Sequence, residues 1–271
     1  MIMLRKALAL LAFSTSTLAA PACLAQDAGT TSERVLVVLA HPDDELVMAP
    51  AIARAVREGA ALTVLYATSG DVGPGVSGME PGAELAAVRE GEARCSIEAL
   101  GGGDVRFLQL GDGQLATQAH HPASAARQLA SAVDALLDEQ DFTRILTWGP
   151  DGGYGHPDHR IVDAVVTERV QARGEDRPLL LYPGIAAGTL PEIPQMQSWA
   201  VTAPDLLSVS YTYDAVDLDR ARRATQCHAT QFSAEERAAL PDLSDQTIWR
   251  GSVHFRPAFA SSIAPEEPNG D

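Results

Sequence analysis

The sequence predicts an α/β fold, a three-layer sandwich on a mainly parallel sheet. Three observations predict it. Short apolar runs alternate with longer segments of helical period along most of the 271 residues. Glycine-rich breaks separate them, as at Gly101-Gly102-Gly103. The two most polar motifs each follow an apolar run closely, at the sheet end where open α/β folds bind ligands.

Residues 34–39 read as a buried strand. Residues 46–57 carry apolar side chains at helical spacing and stop at Gly59. A second strand is expected over 62–68, then a Gly/Pro-rich loop from Ser69 to Gly82. Residues 84–100 form a strong helical pattern closed by the three glycines. A third strand (105–108), a helix (124–139), a fourth strand (144–147) and a helix (159–173) closed by Gly174 follow. A fifth strand is expected over 179–182. This alternation implies right-handed βαβ units and a Rossmann-like sheet. Beyond Pro183 the pattern weakens. Short strands are expected over 198–202 and 207–211, and a helix over 218–228. Residues 26–260 read as one catalytic domain without internal repeats, and the tail from Ser261 as disordered.

The first 25 residues carry the pattern of a secretory signal peptide. Arg5 and Lys6 precede an apolar run over 7–13 and then small residues. That run is too short to span a bilayer as a stable helix. Cleavage is expected after Ala25. Cleavage after Ala22 would leave Cys23 as a lipoprotein-type N-terminus, the less favoured alternative. The mature chain is therefore expected to be exported, periplasmic or secreted, with no transmembrane segment.

Composition narrows the function. Thirty-six acidic residues against 20 basic give a net charge of −16, which argues against nucleic acid as a partner. Lys6 is the only lysine, and it lies in the leader. That excludes a Schiff-base lysine, a pyridoxal enzyme and a P-loop NTPase. Cys95 and Cys227 either pair, as an oxidising compartment permits, or remain buried thiols; the sequence leaves both open. Oligomeric state is also open.

His41-Pro42-Asp43-Asp44-Glu45 follows the first strand, and His156-Pro157-Asp158-His159 follows the fourth. Adjacent carboxylates repel, and a cation relieves that repulsion. His41 and Asp44 are three apart, so both can converge on one ion while Asp43 points elsewhere. The alternative is an N-capping cluster with a solvated histidine. If His159 is the third ligand, His156 stays off the metal, free to bond an oxyanion or protonate a leaving amine. Asp158 is then placed to orient His156. Two imidazoles and a carboxylate with one open position describe a catalytic zinc site. Iron, manganese or cobalt also suit these donors. The loop 152–155 places Tyr154 near the mouth, in a catalytic role or as a surface aromatic. Trp148, Tyr182 and Trp249 either stack on a sugar ring or pack in the core.

These residues resemble the PIG-L/LmbE-like superfamily of zinc-dependent N-deacetylases. Ala40 to Glu45 resembles its opening signature, and Gly155 to His159 its second. Arg89 and Glu92 resemble its Arg-x-x-Glu helix. Phe107-Leu108 with Asp112-Gly113-Gln114-Leu115 resembles a further segment, and His228-x-Thr230-Gln231 its late motif. The resemblance implies one Zn2+ per chain on His41, Asp44 and His159. It implies Asp43 as general base and His156 as oxyanion donor or acid, backed by Asp158. It also implies Tyr154 as an aid to carbonyl polarisation, with Arg89 near the substrate and His228 on the substrate side in support of the site; a satisfied helix histidine is the alternative for His228. The expected substrate is a small-molecule or glycan N-acyl compound of N-acetylglucosamine type. A zinc amidase for a larger acyl group or a non-sugar amide, and a non-catalytic zinc or carbohydrate module, are the competing readings.

Overall fold

The structure is a computed structural model and describes residues 33–259. The expected signal peptide and C-terminal tail lie outside the described residues. Five parallel strands form the body of one sheet: β1 (Arg34–Leu39), β2 (Ala61–Tyr66), β3 (Asp104–Phe107), β4 (Arg144–Thr147) and β5 (Leu179–Pro183). β6 (Val209–Thr212) and β7 (Ser252–Pro257) extend it antiparallel, in the order β3-β2-β1-β4-β5-β7-β6.

β1 is apolar from Val35 to Leu39 because both faces are covered there. Val35, Val37 and Leu39 enter one core, and Leu36 and Val38 the other. The first core is roofed by α1 (Ala49–Arg57), α2 (Ala83–Leu100) and α6 (Ala215–Cys227). The second is roofed by α3 (Ala125–Glu139) and α5 (Pro157–Gln171). This is the predicted three-layer sandwich. No helix among the described residues is long and apolar enough to cross a membrane.

Several expectations are corrected. The segment 46–57 begins as a 3-10 turn over Asp44–Met48, and α1 proper starts at Ala49. The helix expected from His159 starts at Pro157, because proline suits the first helical position and His156 caps it. Residues 198–202 form no strand; only Thr202 makes a single bridge, to Ala186. α6 starts earlier than expected, capped by Asp214, and ends before His228. α7 (Ala234–Ser244) and β7 were not anticipated. The signal for α7 was present as the capping box Ser233-x-x-Glu236. Cys95 and Cys227 pair, tying α2 to α6 across 132 residues of chain.

Strand order makes β1 and β4 neighbours although their connections leave in opposite directions along the sheet. That junction is the switch point at which open α/β sheets bind ligands beyond the carboxyl ends of their strands. Both polar motifs emerge there.

Candidate active site

The turn after β1 is built around Asp44. Its Oδ2 accepts the backbone amides of Ala40 (3.0 Å) and His41 (2.9 Å), which holds the carboxylate against the strand end. His159 enters from α5. Its Nδ1 meets the Gly152 carbonyl at 3.0 Å, so the proton belongs there and Nε2 faces inward. The carbonyl is presented by the one-turn segment α4 (Gly152–Gly155), where Gly153 has φ 71°. A Cβ at Gly153 would lie 2.8 Å from the Trp148 ring, so glycine is required there. Trp148 in turn stacks flat on His159, with centroids 4.4 Å apart.

His159 Nε2 lies 3.0 Å from Asp44 Oδ1 and 3.2 Å from His41 Nδ1, and His41 Nδ1 lies 3.8 Å from Asp44 Oδ2. The edge of a tetrahedron with 2.0–2.1 Å metal bonds is about 3.3 Å. The three predicted ligands thus gather within 4 Å of one another, His159 nearest Asp44 Oδ1 and His41 nearest Asp44 Oδ2, and all three are buried. Their electrostatics agree. Burial alone would discharge His41, yet Asp112, Asp158 and Asp44 push its pKa up to about 10. Asp44 is held well below the usual range: burial opposes this, but His159 and His41 outweigh it. The surrounding carboxylates thus favour positive charge within the cluster. His41, His156 and His159 also group closely enough for a metal, as do His41, Asp112 and Asp158.

Asp43 adopts a left-handed backbone, φ 92°. That conformation costs an L-residue roughly 1–2 kcal/mol. Two contacts offset it. Arg89 Nη2 donates to Asp43 Oδ2 at 3.2 Å and to the Pro42 carbonyl at 2.8 Å. The Asp43 amide donates to Glu45 Oε2 at 3.1 Å. A hydrogen bond to a charged group contributes about 1.5–3 kcal/mol, so the clamp outweighs the strain. Burial pushes the Asp43 pKa up to about 6, against the opposing pull of Arg89.

Glu45 is fully buried and takes four donors: the Asp43 amide, the Tyr66 hydroxyl (2.8 Å), the Ser96 hydroxyl (2.5 Å) and His228 Nε2 (2.6 Å). That fills the capacity of a carboxylate. Despite burial, His228 and Ser96 keep Glu45 ionised, its pKa below the ordinary value.

Other predicted site residues fall elsewhere than expected. Asp158 does not hydrogen-bond the His156 ring. Its Oδ2 accepts the Gly113 amide at 2.7 Å and stands 3.4 Å from His41 Nε2. The reason is position: Asp158 lies in the first turn of α5 and points back under the β1 turn. His156 instead caps that helix, its Nδ1 accepting the Asp158 amide at 3.2 Å. This leaves the His156 proton on Nε2. Burial, with His41 and His159 beside it, lowers the His156 pKa. Its ring centroid is 4.7 Å from each of those two histidines.

Arg89 is buried, and its two terminal nitrogens go to protein: Gly70 and Gly73 carbonyls, Pro42 and Asp43. His228 is also buried, behind Glu45. Both reach the site through other side chains instead of facing substrate. Tyr154 is 43% exposed, with its ring 5.4 Å from that of His159. Trp148, Tyr182 and Trp249 are buried in the core.

The sequence reading missed Asp112 as a site residue, although it stood in a quoted motif. Its Oδ1 is 3.0 Å from His41 Nε2, and its amide donates to Asp71 Oδ1. A cavity of about 320 Å³ lined by Ser69, Asp71, Glu90 and Gln109 adjoins it at Gly111. Trp199 was missed as well; it packs 5.4 Å from Tyr154. No spacing signal marked it.

The family of GlcNAc-PI de-N-acetylases, PIG-L, matches residues 36–170. A 1D-myo-inositol 2-acetamido-2-deoxy-alpha-D-glucopyranoside deacetylase of Rhodococcus erythropolis is 30% identical over 80% of this chain and 87% of its own. A protein of the same name from Rhodococcus opacus is 36% identical over 54% of this chain. The chain spans only about half the length of that relative, 56%. N,N'-diacetylchitobiose deacetylase from Pyrococcus horikoshii superposes with a TM-score of 0.61 at 17% identity, covering 84% of each chain. The 4-carboxy-2-hydroxymuconate hydratase GalB of Pseudomonas putida does so at 0.60 and 17%, over 84% of this chain and 97% of its own. The fold therefore hosts more than one chemistry, and family membership rests on sequence. By the signature residues gathered at this switch point and by the relative matched along most of its length, the chain belongs to the PIG-L family.

Proposed function

We propose that this chain is an exported, zinc-dependent hydrolase that removes the acetyl group from an N-acetylglucosamine-type substrate. The observation that carries the reading is the gathering of His41 Nδ1, the Asp44 carboxylate and His159 Nε2 beside the clamped Asp43. Zinc bound by those three residues would acidify a water molecule and polarise the amide carbonyl.

The chain's own residues supply the rest. Asp43 accepts the proton of the attacking water; a carboxylate raised to about 6 is matched to that task near neutral pH. His156 offers its Nε2 proton to the oxygen that gains charge as the carbonyl becomes tetrahedral. Asp43, once protonated, returns its proton to the departing amine. Asp112 and the acidic cavity beside it accept hydrogen bonds from sugar hydroxyls. Export is supported by the leader pattern and by the Cys95–Cys227 disulfide, which an oxidising compartment maintains.

One feature favours a second reading. Tyr154 and Trp199 form an aromatic shelf beside His159 and His156. Such a shelf suits a larger acyl chain, and so a zinc amidase. The deciding experiment is acetate release from N-acetylglucosamine and chitobiose, with chelator and with zinc restored. Chelator-sensitive release that zinc restores supports the deacetylase. No release from a metal-loaded chain, with turnover of longer N-acyl compounds, supports the amidase. A chain that holds no metal overturns both.

A further inference from the structure

We propose that Glu45 is the positioning residue of Asp43, and that the Cys95–Cys227 disulfide holds Glu45 in place. The geometry is specific. Ser96 and His228 both bond the same oxygen, Glu45 Oε1, at 2.5 and 2.6 Å. The other oxygen, Oε2, takes the Asp43 amide. Ser96 follows Cys95 on α2, and His228 follows Cys227 at the end of α6. The disulfide thus ties the two backbones one residue away from each donor. Glu92 adds a parallel tie, accepting the Thr230 amide (2.7 Å) and hydroxyl (2.6 Å).

The chain of contacts runs from surface to site. Cys95 is exposed and Cys227 partly so, while Ser96, His228 and Glu45 are fully buried. A reductant therefore reaches the disulfide without entering the core. Asp43 needs the support because its left-handed backbone is disfavoured for any side chain. If α2 and the His228 turn drift apart, Glu45 loses a donor, its carboxylate turns, and the Asp43 amide loses its acceptor. A displacement on the order of 1 Å at a base costs about 100-fold in rate. The metal ligands are held separately, by Ala40, Gly152 and the β1 end, so the ion stays bound.

The kinetic half of this inference rests on Asp43 acting as base in the proposed hydrolysis; the structural half does not. The test uses the full, metal-loaded protein treated with a water-soluble phosphine. Each phosphine delivers two electrons to the S–S bond and takes up the oxygen of a water, giving two thiols and a phosphine oxide. The first readout is the proton resonance of His228 Nε2–H and its exchange with solvent. The second is kcat and KM with metal content. Reduction is expected to speed exchange of that proton about tenfold or more and to lower kcat by a similar factor. KM and metal content stay within about twofold.

The C95S/C227S variant should reproduce the reduced state without any reductant. Should it fail to fold, Ser96→Ala with the disulfide intact serves instead. It should lower kcat at unchanged KM, and reduction should then cost less than in the wild type, because the two changes act on one oxygen. A His228 proton indifferent to reduction overturns the tether. Faster exchange with unchanged kcat overturns the link from Glu45 to Asp43. A chain that turns over no amide leaves the resonance arm to decide the tether, and that failure falls on the proposed hydrolysis alone.

Discussion

Arg89 holds Asp43 from below, its Nη2 3.2 Å from Asp43 Oδ2, while Nη1 binds the Gly70 and Gly73 carbonyls. One buried cation thus orders both the catalytic turn and the loop beside it. Arg89→Met removes the charge that opposes the burial-driven rise of the Asp43 pKa. The base must be ionised to accept a proton, so the acid limb of the kcat profile should move to higher pH. At pH 7 turnover should fall by about tenfold or more. Arg89→Lys should keep the limb near its original place but lose rate, because lysine cannot span the same fork of acceptors. A pH–rate profile of the two variants checks this; an unmoved acid limb in Arg89→Met removes the electrostatic role.

Asp43→Asn and His159→Ala should separate cleanly. The Asp43 side chain takes its hydrogen bond from Arg89 and not from the ligand triangle, so its amide variant should keep bound metal and lose about 100-fold to 10,000-fold in turnover. His159→Ala deletes the nitrogen that faces Asp44 and should lose metal and activity together. Metal analysis beside initial rates distinguishes them. Full activity in metal-loaded Asp43→Asn would remove Asp43 from its role.

The parallel core and both motifs were legible in the sequence because apolar period and motif adjacency are local signals. His41, Asp43, Asp44 and His159 could be placed on two turns from spacing alone. Two kinds of feature were not legible. β7 pairs antiparallel with β5 and β6 across long connections, and only partner strands decide whether short alternations such as Val253-His254-Phe255 become strands. The partners of Asp158 were misread for a similar reason. Spacing places Asp158 next to His156 along the chain, but the first turn of α5 sends its carboxylate to Gly113, contributed by the loop after β3.

That correction has a consequence. If Asp158 steadied His156, Asp158→Asn would impair turnover and leave the metal. Because it faces His41 Nε2 at 3.4 Å instead, the substitution should weaken metal binding by about 10-fold to 100-fold, the usual effect of losing a group behind a ligand. Competition against a chromogenic chelator measures it. Unchanged affinity with lost turnover would restore the His156 assignment.

Asp163 offers a test of stability away from the site. It lies on α5, nearly buried, with Thr167 and Tyr182 about its carboxyl group. Burial pushes its pKa up to about 6; Tyr182, Thr167 and Arg256 only partly oppose this. The folded chain therefore holds this proton more tightly than the unfolded chain does. Its contribution to stability is complete below about pH 4 and is lost as pH rises through 6. Asp163→Asn keeps the shape and an acceptor for Thr167 but carries no charge to desolvate. Its melting temperature should exceed that of the wild type at pH 7.5, and the gap should close below about pH 4 as the wild-type carboxyl group becomes neutral. Thermal melts of the two proteins across that range decide it; a gap that is constant with pH assigns the change to packing, not to the proton.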